Sequence, residues 1–379
     1  MEKIGIYIHI PFCSSKCYYC DFISFPRLDS RIDEYINYLI KEMDLYKEWL
    51  EEYTVKTIFI GGGTPSYLEG RYIYKLLNNI YENFNVDKIE EVTIETNPGT
   101  LNKEKLRIYK KAGVNRISIG VQSLNDRLLK EIGRGHTSID FYKNYELIRS
   151  MGFKNVNVDL MFGLPNQTLE DCQKTLEEIT RLEVEHISYY SLILEERTLM
   201  NRWYNERKIK IPDEDVEREM YHRGIEFLQN KGYNHYEISN FAKDGLECKH
   251  NLIYWQIKPY IGFGIAAHSN LNQNRFWNYT KFNNYYNSID ERKPPIEGKE
   301  KIDKKMEIAE YLIMGLRLVK GINKQEFINR FNIKVEDIYG DVLKKHERQG
   351  LLYIDDRWIR FTPRGLDLSN IVYVDLLPD

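Results

Sequence analysis

Cys13, Cys17 and Cys20 fall within eight residues of one another, at C-x₃-C-x₂-C spacing. Three thiolates so placed can wrap one metal centre from a single loop. Three ligands on a four-iron cube leave one iron unsatisfied, and an exogenous ligand can take that place. A structural zinc site wants a fourth nearby Cys or His. His9 is the near candidate, but in an alternating strand it is expected to face the interior or a neighbour. Cys172 lies in a helical stretch and reads as an inert buried thiol. Cys248 has the sequence position to ligate iron beside His250, yet it also reads better as an inert thiol. An odd number of cysteines, three of them bunched in a long chain, fits a metal or redox centre rather than a disulfide framework.

Further polar residues follow short β-branched runs: Gly61-Gly62-Gly63-Thr64-Pro65, Glu95-Thr96-Asn97-Pro98, Gly120-Val121-Gln122-Ser123, and Asp159 with Gly163 beyond it. Gly62 and Gly63 allow backbone to approach a ligand closely, and Glu95 offers a carboxylate to hydroxyls or an ammonium group. Each position has a plainer reading. Tyr7 and Tyr19 could pack, the glycines could build a turn, Asp159 could cap a helix, and Arg134 could be a surface charge.

The elements that must position these residues alternate in period. Strands are expected at Gly5–Ile10, Thr57–Ile60, Glu91–Glu95, Arg116–Gly120, Asn155–Leu160 and His186–Ser191. Amphipathic helical stretches lie between them: Ser30–Tyr53, Arg71–Asn83, Lys103–Ala112, Ser138–Met151 and Thr168–Leu182. Six such units predict a parallel α/β sheet, curved or closed into a barrel, whose active face collects the C-terminal strand ends. Beyond Leu194 the rhythm changes. Asp213–Lys231 reads as a helix, Tyr236–Phe241 as a strand, Tyr260–Asn270 as a Gly-rich strand or turn, and Ile289–Lys304 as a linker. Helices at Lys305–Val319, Lys324–Phe331 and Val335–Gln349, followed by a hairpin around Asp355-Asp356-Arg357, predict a small winged-helix-like domain. The expected division is residues 1–240, a connecting segment 241–300, and residues 301–379.

The cysteine loop after a first strand, with an aromatic before its last cysteine and Gly-Gly-Gly-Thr-Pro after the second strand, resembles the radical S-adenosylmethionine (SAM) superfamily. The resemblance implies an incomplete (β/α)₆ barrel, a [4Fe–4S] cluster on Cys13, Cys17 and Cys20, and SAM chelating the free iron. It also implies cleavage of SAM to a 5′-deoxyadenosyl radical. Tyr7 with His9-Ile10-Pro11-Phe12, Gly120-Val121-Gln122, Gly133-Arg134-Gly135-His136-Thr137 and Asp159-Leu160-Met161-Phe162-Gly163-Leu164-Pro165 are similar to oxygen-independent coproporphyrinogen III oxidase and its HemW-type relatives. By that likeness Tyr7, Tyr19, Gly62, Gly63, Thr64, Glu95, Gln122, Arg134 and Asp159 would contact SAM.

Between those relatives the chain looks more like the HemW type, regarded as haem chaperones. Phe22 stands where the oxidase pattern has a further cysteine, and the oxidase's N-terminal extension has no counterpart before the first strand. His250-Asn251-Leu252-Ile253-Tyr254-Trp255 matches the H-N-x-x-Y-W motif associated with haem in HemW-type proteins. On a helix His250 and Tyr254 share a face, imidazole is a normal axial ligand, and Trp255 adds flat apolar area. The plainer alternative is a helix packed on the barrel with His250 hydrogen-bonded. His268 is the rival ligand and reads better as a structural histidine. The expected partners are haem, haem-accepting proteins and an electron donor; the enzyme alternative is oxidative decarboxylation of coproporphyrinogen III.

A net charge of −3 gives no field for gathering nucleic acid or anionic membrane. Acids match bases in Gln325–Gln349, which argues against a DNA-reading winged helix and a regulatory role. With no apolar stretch approaching roughly 18 residues and no signal-peptide pattern, a cytoplasmic address is expected.

Overall fold

Alternation along the first strand sets the architecture. Ile4, Ile6, Ile8 and Ile10 are fully buried in one core with helix residues such as Leu39 and Leu76. The intervening Gly5, Tyr7 and His9 must then face the other way. The same period recurs in each parallel strand, so the sheet has an apolar outer face under helices and a polar inner face.

In this computed structural model, which describes residues 1–378, six strands lie side by side in chain order. They are β1 (Glu2–Ile10), β2 (Tyr53–Gly62), β3 (Val86–Thr96), β4 (Arg116–Gln122), β5 (Asn155–Phe162) and β6 (His186–Ser191). Each runs parallel to the next. Helices Ile32–Leu45, Gly70–Asn83, Lys103–Lys111, Ser138–Ser150 and Leu169–Arg181 make the crossovers. Two start at capping boxes legible as T-x-x-D, Thr137 with Asp140 and Thr168 with Asp171.

Residues 234–301 extend the sheet on both sides of this parallel set. β7 (Asn234–Glu237) and β8 (Asn240–Ala242) extend the sheet beyond β6. On the opposite side β9 (Tyr260–Phe263) runs parallel to β1, and β10 (His268–Leu271), β11 (Asn274–Asn278) and β12 (Ile296–Lys301) follow antiparallel. The result is a mixed sheet of twelve strands, with β12 inside the expected linker. Its sequence IEGKEK reads as a linker because it is an edge strand with no buried residue; charged side chains suit such an edge.

The C-terminal part has its own core, including Leu312, Phe327, Leu343 and Ile359. Helices Lys304–Gly315, Lys324–Phe331 and Val335–Arg348 pack with the strands β13 (Ile322–Asn323), β14 (Leu352–Ile354) and β15 (Trp358–Phe361). β14 and β15 form the expected hairpin, with β13 on the other side of β15. Asp355 sets the turn by accepting the backbone N–H groups of Arg357 and Trp358. Among the described residues no helix is long and apolar enough to cross a membrane.

Candidate functional site

Beyond the C-terminal end of β1 the chain enters a short parallel ladder, Phe12–Cys13 against Phe25–Pro26, which frames the cysteine loop. The end of β2 grips that loop from below. Gly63 N–H donates to Ile10 O and Thr64 N–H to Phe12 O, both at 2.8 Å. Thr64 Oγ1 lies 3.4 Å from Cys13 Sγ, and Arg134 Nη1 lies 3.5 Å from Cys17 Sγ. Burial raises the Cys13 thiol pKa and pushes that of Cys20 up to about 11.

Cys13, Cys17 and Cys20 line one cavity of about 140 Å³ with Tyr19, Gly62, Gly63, Thr64, Glu95, Gln122, Arg134 and Asp159. Eight of the nine expected SAM contacts therefore share a wall with the cysteines. The exception is Tyr7, which faces a different cavity and hydrogen-bonds His9 Nδ1 at 3.0 Å. His9 is not a fourth ligand to the cysteine loop: its Nε2 is also taken, by Ile23 O at 2.8 Å.

The cavity carries opposed charges. Glu95 accepts Gly62 N–H at 3.1 Å; burial first, and then repulsion from Asp159, raise its pKa to about 8. Asp159 is raised too, by burial, although Asn157 and Ser118 donate to it. Arg134 donates to Asn97 Oδ1 and Gly120 O, while its Nε is buried without an acceptor. Two carboxyls, a guanidinium with a spare donor, and glycine backbone beside three thiols offer complementary partners to both ends of a small zwitterion. Sequence reasoning missed Tyr190, which donates to Gln122 Oε1 at 2.9 Å. The alternation of HISYYS in β6 was the available signal.

The H-N-x-x-Y-W segment is a short helix, Lys249–Trp255, packed against the other end of the polar inner face. Glu91 accepts the backbone N–H groups of Lys249 and His250, at 2.9 and 3.1 Å, satisfying the start of that helix. His250 has no solvent exposure. Its Nδ1 pairs with Thr57 Oγ1 and its Nε2 with Tyr254 Oη, both at 2.8 Å. Both ring nitrogens of His250, expected as an axial ligand, are thus engaged within the protein, and His250 is not among the residues lining the larger cavity that its helix neighbours reach.

Tyr254 and Trp255 do reach a cavity, a larger one of about 760 Å³. Tyr7, His9 and Phe22 come to its wall from β1 and the cysteine loop, His268 from β10, and Ile313 and Met314 from the C-terminal helix Lys304–Gly315. Phe22, 64 % exposed, lines both this cavity and the cysteine cavity.

Residues 7–179 match the model of the radical SAM superfamily, and residues 302–368 match that of the HemN C-terminal domain. The chain is 38 % identical to the heme chaperone HemW of Lactococcus lactis, over 98 % of this chain and 97 % of that protein. It is 37 % identical to the heme chaperone HemW of Bacillus subtilis, over 97 % of each. Among solved structures, coproporphyrinogen III oxidase (HemN) from Escherichia coli superposes with a TM-score of 0.86 at 23 % identity, covering 99 % of this chain and 90 % of that one. That last likeness establishes the fold.

Proposed function

The chain belongs to the HemW family of radical SAM proteins, and from that premise we propose that it is a haem chaperone, holding haem beside a SAM-ligated [4Fe–4S] cluster and passing it to acceptor proteins. The observation that carries this reading is the cavity of about 760 Å³ adjoining the cysteine cavity at Phe22. It lies within the roughly 300–1,000 Å³ of small-molecule and cofactor sites and has the aromatic, apolar walls they favour.

Cys13, Cys17 and Cys20 would hold the cluster, and Glu95, Thr64, Arg134 and Asp159 would hold SAM. The cluster, when bound, would supply reducing power to SAM; the chain's own residues would bind, orient and neutralise that ligand. With its pKa at about 8, Glu95 is mostly protonated at pH 7 in the ligand-free protein. Its raised pKa means the fold holds a proton that the unfolded chain loses above about 4.5. This contribution to stability is therefore complete below that pH and declines as pH rises through 8. A cationic ligand beside Glu95 favours the carboxylate. SAM binding at pH 7 should thus release protons, measured by calorimetry in buffers of different ionisation enthalpy. Glu95→Gln should reduce the release; an unchanged release would detach Glu95 from SAM.

The haem reading is tested by titrating haem into the anaerobically reconstituted full chain, then adding a haem-free acceptor protein. The expected result is saturable Soret absorption that moves to the acceptor. No saturable uptake would sink the chaperone reading. Coproporphyrinogen III with SAM and a reductant should give no repeated turnover, because Phe22 places a ring, not a thiol, between the two cavities.

A further inference from the structure

We propose that His268, rather than His250, is the axial ligand through which this protein binds haem iron. The assignment rests on the haem reading above and gives it a specific site.

The period of β10 places His268 and Asn270 on the wall of the larger cavity, while Ser269 and Leu271 are buried on the opposite face. An axial imidazole also needs a nitrogen whose lone pair is free for the metal. His9 and His268 are the two histidines on that wall. His9 spends one nitrogen on Tyr7 and the other on Ile23 O. His250 sits off the wall and spends its own two on Thr57 and Tyr254. The His268 ring enters no hydrogen bond among the described residues. It is held instead by stacking on its cross-strand partner Trp277, with centroids 5.9 Å apart and planes 26° from parallel. That contact orients the ring without using a nitrogen.

Charge state agrees with the geometry. Partial burial, and then the neighbouring Arg275, hold the His268 pKa below the usual imidazole value. That direction favours the neutral ring, the form that ligates metal. The surroundings suit a flat apolar macrocycle: Phe22, Tyr254, Trp255, Ile313 and Met314 share the cavity with His268.

This arrangement also gives the H-N-x-x-Y-W segment a different part. His250 is a positioning residue. Its Nε2 holds the Tyr254 hydroxyl, and Tyr254 with Trp255 forms part of the cavity wall. Losing His250 would leave the Thr57 and Tyr254 hydroxyls unpaired in a buried region, so damage there would reach haem through the wall rather than through the iron.

The test uses the full chain with its cluster reconstituted and hemin as the probe. His268→Ala, at an exposed position, should keep the parent's Tm and iron–sulfur absorption. Its haem affinity should fall at least as far as the roughly 10–100-fold seen when an outer partner of a metal ligand is removed. Added imidazole should restore the histidine-ligated Soret and electron paramagnetic resonance signature to His268→Gly, a rescue that a structural role does not predict. His250→Ala should lower Tm yet retain the histidine-ligated signature of whatever haem it binds. The assignment is overturned if His268→Ala binds hemin with the parent's affinity and spectrum, if imidazole restores nothing, or if His250→Ala is the variant that loses histidine ligation. In all three cases the parent still binds haem and the chaperone reading stands. If the parent takes up no hemin, that reading falls and this assignment with it.

Discussion

After anaerobic reconstitution, Cys13→Ala, Cys17→Ala and Cys20→Ala should each lose the broad thiolate-to-iron absorption, down to the level of the unreconstituted chain. The three thiols share one cavity, and no reserve thiol stands near it. Cys172 is buried within the helix Leu169–Arg181. Cys248 lies beside Glu91 near the motif helix, its Sγ 3.5 Å from Oε1. Cys172→Ala and Cys248→Ala should therefore retain full cluster absorption. Retention in any loop variant, or loss in either of the other two, would show that the ligand set is wrong. Cluster assembly should also be pH-dependent. Burial holds Cys13 and Cys20 above the ordinary thiol range, the latter at about 11. Iron must displace those protons to bind thiolate, so the yield of reconstituted cluster should rise from pH 7 to pH 9.

Gly63→Ala should be nearly as severe, although it removes no ligand. A Cβ there would stand 2.8 Å from Phe12 O, 2.9 Å from Ile10 O and 3.0 Å from Cys13 Sγ. Two of those atoms are backbone oxygens that accept the hydrogen bonds tying β2 to the cysteine loop. The loop can make room only by breaking them. Overpacking of this kind costs about 1–3 kcal/mol, and each lost hydrogen bond adds about 1 kcal/mol. Thermal unfolding of the iron-free protein should register that loss, and iron content after reconstitution should fall sharply. Gly135→Ala is the control: its Cβ would meet nothing nearer than Oγ of Ser15, a residue of the cysteine loop, at 3.8 Å. A Gly63→Ala protein with the parent's Tm and iron content would mean that the loop is not held by this contact.

Much of the site was legible because its grammar is local. Cys13, Cys17 and Cys20 sit on one loop, so their spacing alone constrains the chemistry. Strand period 2 then sorts side chains by face. Glu95, Gln122 and Asp159 follow from their places on β3, β4 and β5, and their cavity assembles from the ends of adjacent parallel strands. Tyr190, on β6, was open to the same reasoning: the strand was assigned, but its inward-facing side chains were not singled out. β12 was hidden for a different reason: an edge strand with no fully buried residue and one apolar side chain, Ile296, carries almost no apolar signal.

The sequence by itself thus determined the loop that brings the three cysteines together, the six β/α units and most of the residues facing the smaller cavity, since each depends on short-range spacing. Only the tertiary structure decided which histidine nitrogens are already hydrogen-bonded and which histidines line a cavity. A histidine's availability depends on what its two nitrogens already hold, and those partners come from anywhere in the chain. Thr57 reaches His250 across 193 residues of sequence. The larger cavity is likewise a product of distance, with walls drawn from Tyr7 to Met314. Its shape exists only once β9, β10, β11 and the C-terminal helix close against the cysteine loop.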